Sequence, residues 1–114
     1  MNQDPPILNE DRFRRMACGD MDSFYELAGD YFEEVESRIP EWRKLNASGD
    51  DHRLREEFHR SKGGAAIFGF ERLHAHLTSL EKQIEAGGGE VDIDQLLGEY
   101  ENAKQAVAAL QVGN

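Results

Sequence analysis

His59-Arg60-Ser61-Lys62-Gly63-Gly64-Ala65-Ala66-Ile67-Phe68-Gly69 lies inside an otherwise amphipathic helical pattern and decides how the chain is read. A glycine within a helix costs about 1 kcal/mol relative to alanine. Two in succession beside a histidine mark a place where bulk is excluded at some loss of stability. Helical positions i, i+3, i+4 and i+7 share a face. His59, Lys62, Gly63 and Ala66 therefore form one strip: an imidazole, a cation one turn on, and little side-chain volume beneath. Such a strip suits a histidine that another protein approaches closely and that carries an anion. The glycines are also readable as tight helix–helix packing. Gly63 shares the histidine's face and Gly64 is turned further round, which assigns access to Gly63 and packing to Gly64.

Outward from this run, the apolar spacing predicts five helices and no strands. Leu54, Phe58, Ser61, Ala65 and Phe68 form the inner line of the third helix, which starts near Asp50 or Asp51, ends at Gly69 and turns His59 away from the core. Residues 1–8 read as a loose tail through Pro5-Pro6, ahead of a single domain over 9–111. Asn9 is placed to cap a short first helix that ends near Gly19, with Leu8 and Phe13 as a hydrophobic staple. Asp20 caps the second, whose inward stripe is Phe24, Leu27, Ala28, Tyr31, Val35, Ile39, Trp42 and Leu45. Pro40 removes an N–H within that stripe, so a kink or a break is expected there, followed by a turn over Asn46–Asp50. The fourth helix carries Phe70, Leu73, Leu77, Leu80 and Ile84 inward and stops at Gly87-Gly88-Gly89. The last pairs Asp92 with Gln95 at capping spacing and buries Ile93, Leu96, Leu97, Tyr100, Val107 and Leu110. Short connections between amphipathic helices predict an all-α, antiparallel up-down four-helix bundle with a short additional N-terminal helix.

A chain of 114 residues holds one core. A net charge of −10 argues against nucleic acid and anionic membranes as partners, because phosphate binding needs clustered Lys and Arg. The single cysteine, Cys18, permits no internal disulfide. No apolar run approaches the ~20 residues that span a bilayer, and Met1 to Pro6 lack the pattern of a signal peptide. A cytoplasmic location is expected.

The run His59-Arg60-Ser61-Lys62-Gly63, with Gly69 ten residues after the histidine and Leu73, Leu77, Leu80 and Glu81 on the next helix, resembles the histidine-phosphotransfer (HPt) domain of bacterial phosphorelays. Lys62 to Phe70 is similar to the phosphotransfer domain that begins chemotaxis histidine kinases. The resemblance implies a bundle in which His59 accepts a phosphoryl group from a receiver-domain aspartate and passes it to another receiver. It implies Nε2 as the phosphorylated atom, Lys62 as a phosphate contact, and Glu81 in the position that orients Nδ1. Gly63 and Ala66 would keep the receiver's approach clear. Mg²⁺ is expected on the partner receiver, and no cofactor or metal on this chain. An exposed imidazole is largely neutral at cytoplasmic pH, leaving one ring nitrogen free to attack phosphorus. The residues alone leave Glu81 equally readable as a surface partner of Lys82 or Arg72. Two positions depart from the family's pattern: Ser61 stands where a bulky aliphatic is usual and Phe58 where alanine is usual. An exchange of volume between them is expected, with Phe58 filling the space beside Ser61. His76 also stands where an apolar residue is common.

The remaining candidates carry little chemistry. His74 and His76 diverge on their helix and cannot chelate one metal, His52 reads as surface, and Cys18 as partly buried. No Gly-rich phosphate loop on a strand is present, so a phosphoryl carrier without kinase activity is expected. The partners expected are response-regulator receivers and a hybrid histidine kinase, with this chain as a monomer. Two other readings stay open: the substrate domain of a chemotaxis-type kinase, and a non-catalytic helical adaptor for receiver or kinase domains. A chain that starts at Met1 and ends soon after its last helix favours the stand-alone carrier.

Overall fold

The first three helices begin at a side chain that accepts an otherwise unpaired N–H: Asn9 from Arg12, Asp20 from Ser23, and Asp50 from Arg53. In the computed structural model, which describes residues 4–113, they are α1 (Glu10–Ala17), α2 (Met21–Ser48) and α3 (Asp51–Phe68), followed by α4 (Glu71–Glu85) and α5 (Ile93–Gly113). At the start of α5, Asp92 accepts from the Gln95 N–H at 3.0 Å. No strand occurs among the described residues. Helix α4 lacks a side-chain cap, and Phe70 sits at its N-cap position. The chain reverses there through Gly69, whose φ of 77° is the left-handed value glycine adopts freely. A Cβ on Gly69 would also lie 2.9 Å from the carbonyl oxygen of Asn9.

Helix α2 packs against α3 and α5, α3 against α4, and α4 against α5, while α1 lies on α2 and α3. The core between them is largely aromatic. Phe13 reaches in from α1 to meet Phe24 edge-on, with ring centroids 4.7 Å apart. Phe68 and Phe70 stack across the α3–α4 turn at 5.5 Å. Phe58 meets Trp42 edge-on at 5.4 Å, and Trp42 reaches Tyr100 of α5 at 5.9 Å. The inner lines expected for α3 and α4 are buried throughout.

Several expectations are corrected. Helix α2 runs unbroken through Pro40, because Val35, Trp42 and Leu45 are buried on both sides of it and hold one axis. The expected turn at Asn46 is still helix, which persists to Ser48 before Gly49 closes it. Asn46 instead clamps the approach to α5: its Nδ2 donates to the Val91 carbonyl at 2.9 Å and its Oδ1 accepts from the Val91 N–H at 3.0 Å. Leu27 is 54% exposed rather than inward. Leu27 points the same way round the helix as the buried Leu45, five turns on, so its exposure reflects which neighbours stand beside each end of α2 and not its angle alone. Leu97 is only partly buried, and Ala103 takes a core position on α5. Cys18 is exposed, since it occupies the left-handed C-cap of α1 with φ 51°. Within the segment expected as a loose tail, residues 1–3 lie outside those described. From Pro5 onward the chain is tied to α4: the Arg72 Nε donates to the Pro5 carbonyl and its N–H to the Pro6 carbonyl, both at 3.0 Å.

Candidate functional site

Burying the inner line of α3 fixes the outward direction of its other faces, and His59 emerges with its side chain 72% exposed. Glu81 comes from α4, beside Leu77, Leu80 and Ile84 on that helix's buried stripe. Its side chain is only 8% exposed. A buried carboxylate is costly unless both oxygens find partners, and both do. Oε1 lies 3.0 Å from Nδ1 of His59, and Oε2 lies 2.5 Å from Nζ of Lys62. The reading of Glu81 as a surface partner of Lys82 or Arg72 is thereby replaced.

Burial pushes the Glu81 carboxyl up, but Lys62 and His59 more than offset this and hold it below its ordinary value. The carboxylate is therefore the ionised, accepting partner, and the neutral imidazole must carry its proton on Nδ1 to donate to it. Nε2 is left with its lone pair on the exposed side of the ring. A carboxyl whose folded pKa lies below the unfolded one contributes stability that is complete above the unfolded value and lost as pH falls through the folded one. Wild-type protein is thus expected to lose stability below about pH 4.5 more steeply than Glu81→Gln. Thermal melts between about pH 3 and 6 measure this, and equal slopes would refute it.

The two glycines separate physically. Gly63 is exposed, and a Cβ built on it meets nothing within 4 Å. On Gly64 a Cβ would lie 2.4 Å from the Tyr31 ring. That ring cannot retreat, because it packs on Phe32, Phe68, Phe70 and Tyr100. Gly63→Ala is expected to raise stability by up to about 1 kcal/mol through helix propensity. Gly64→Ala is expected to lower it by about 1–3 kcal/mol through overpacking. Urea unfolding distinguishes the signs, and a shared sign would remove the distinction. Ala66, further along the strip, is half-buried, and its carbonyl accepts from Arg12 Nε of α1 at 2.7 Å.

The family model of the Hpt domain matches residues 26–111, which is α2 from its second turn through nearly all of α5. The chain belongs to the Hpt-domain family. No curated protein and no solved structure gives a match. Hpt domains are phosphocarrier modules of two-component signalling and interact with receiver domains. In this Hpt domain, helices α3 and α4 supply the whole His59–Glu81–Lys62 cluster, and the matched stretch contains both.

Two groups of residues near this cluster escape the sequence reading. Beneath Ser61, on the buried side of α3, three hydroxyls meet. Tyr31 Oη donates to the Ser61 carbonyl at 2.8 Å and lies 2.9 Å from Ser61 Oγ, which also bonds Tyr100 Oη. Burial pushes both phenols up, that of Tyr31 to about 12, so they remain neutral hydroxyls. Ser61 is thus a polar junction of α2, α3 and α5. The space beside it is completed by tyrosine hydroxyls, while Phe58 packs on Trp42. The second group is an ion pair of Arg55 with Glu85 at 2.9 Å, whose signal in the sequence is the spacing of Arg55 one turn before His59. His52 is an exposed surface partner of Glu56 at 2.9 Å. Among the described residues no group of three or more His, Cys, Asp and Glu could hold a metal, and no helix is long and apolar enough to cross a membrane.

Proposed function

We propose that this chain is a phosphoryl carrier whose acceptor atom is Nε2 of His59. The observation that carries the reading is the buried Glu81 carboxylate. It holds the Nδ1 proton and leaves the opposite nitrogen exposed on a helix face that Gly63 keeps bare. In the forward step, the P–O bond of a receiver's aspartyl phosphate breaks as a P–N bond forms at Nε2, and the aspartate leaves as a carboxylate. The onward step reverses this with a second receiver. Mg²⁺ belongs to the receiver, and this chain contributes the nucleophile, its orientation and its access. Lys62 and Glu81 form one unit with the ring, and the Nζ cation offsets charge on the phosphoryl oxygens.

The helix contacts support a four-helix bundle of α2 to α5, arranged up and down, with α1 laid across α2 and α3. The receiver docks over the face around His59, against Leu27 of α2 and Ile67 of α3. These side chains are 54% and 46% exposed, and Gly63 and Ala66 lie low on the same helix as Ile67. The protein works in this way as a monomer in the cytoplasm and does not phosphorylate itself.

Incubation with a phosphorylated receiver and Mg²⁺ tests the reading. Acid-labile, alkali-stable label on this chain is the expected result. Binding without label would overturn it in favour of a helical adaptor. Label acquired only from an ATP-binding kinase domain would move the function to a kinase substrate domain.

A further inference from the structure

Side chains on a helix lean toward its N-terminus. The imidazole of His59 therefore lies over the turn that carries Arg55 and Glu56 rather than over Gly63. His52, Arg55, Glu56, His59, Arg60 and Glu81 line one open groove of about 410 Å³. Two rungs cross from α3 to α4 along it. His59 meets Glu81 at 3.0 Å, and one turn along on each helix Arg55 Nε meets Glu85 Oε1 at 2.9 Å.

The charges in the groove are not arranged for the empty site alone. Lys62 is only 21% exposed and shares its charge with Glu81, 2.5 Å away, so it offsets only part of an added phosphoryl charge. A phosphoryl group on Nε2 adds roughly two negative charges at neutral pH. His52 is bound to Glu56, and the charge of Arg60 acts on Glu57. Arg55 is the cation one turn from the histidine on its leaning side. Its pair with Glu85 is about half exposed at both ends (48% and 53%), and such pairs hold their partners weakly. A guanidinium binds a phosphoryl group through two parallel N–H···O bonds, a stronger arrangement than its present contact.

We propose that Arg55 is a phosphoryl-binding residue of this site. It leaves Glu85 and clamps the phosphoryl oxygens on Nε2 of His59, and Glu85 is the counter-ion that keeps it beside the ring while the site is empty. The exchange breaks and makes only ion pairs, and the P–N bond is untouched. The inference rests on the phosphorylation of His59 proposed above.

Phosphoramidate, which donates to histidine without a partner protein, separates the two claims. The full chain is phosphorylated with it, and the phosphohistidine is titrated by ³¹P NMR. The phosphoryl protonation midpoint of Arg55→Gln is expected to lie roughly 0.5–1 unit above wild type, because a cation has been removed from the dianion. Arg43→Gln, whose arginine pairs with Asp94 elsewhere, should match wild type. Glu85→Gln should lower the midpoint, and most of that fall should vanish in the double variant with Arg55→Gln. A wild-type midpoint in Arg55→Gln, on a chain whose His59 carries the phosphoryl group, overturns the role of Arg55 and leaves the carrier reading standing. No phosphohistidine in the wild-type protein overturns both.

Discussion

His59→Gln is expected to abolish phosphoryl labelling while leaving the fold in place. The ring is 72% exposed and contributes no surface to the core, so its removal should change stability by no more than about 0.5–1 kcal/mol. Glutamine keeps a donor within reach of Glu81 but has no ring nitrogen with a free lone pair. The Lys62–Glu81 pair also survives, so the buried carboxylate is not orphaned. Label transfer from a phosphorylated receiver with Mg²⁺ and thermal melts of the same samples measure the two halves. Retained label would place the acceptor elsewhere. A collapse in melting temperature would make His59 a structural residue.

Phe58→Ala should be the most damaging change to the fold, at about 3–5 kcal/mol. Phe58 is fully buried, and its ring meets Trp42 edge-on, so truncation removes both the transfer term and an aromatic pair. The cavity cannot refill easily. Trp42 is tied by its indole N–H to Glu57 at 2.9 Å, and Glu57 is held in turn by Arg38 at 2.8 Å. Against a total of roughly 5–15 kcal/mol for an ordinary domain, such a loss leaves a marginal protein. Urea unfolding measures it, and a change under about 1 kcal/mol would mean that the core closes over the gap. Because Phe58 precedes His59, Phe58→Leu offers a milder probe in which the histidine can still be labelled.

Much of this was legible in the chain itself. Caps at Asn9, Asp20, Asp50 and Asp92 and the left-handed Gly69 are local signals, fixed by side chains within three residues of the N–H groups they satisfy. The 3.6-residue spacing of Leu54, Phe58, Ser61, Ala65 and Phe68 was enough to turn His59 outward. Pro40 misled because its cost is local, whereas the stripe it interrupts is buried on both sides. Leu27 misled because a helix touching three others buries an arc whose edges depend on where the neighbours lie.

Sequence alone determined the elements, the outward histidine and the family of residues around it. Tertiary structure decided the chemistry's partners. Glu81 is 22 residues from His59, and only the packing of α3 on α4 sets its oxygens between Nδ1 and Lys62. Tyr31 is 30 residues from Ser61, and only the packing of α2 on α3 lays its ring on Gly64. Periodicity fixes which face a residue occupies on its own helix. It carries no information about what stands opposite, because that depends on the rotation and register with which the helices pack.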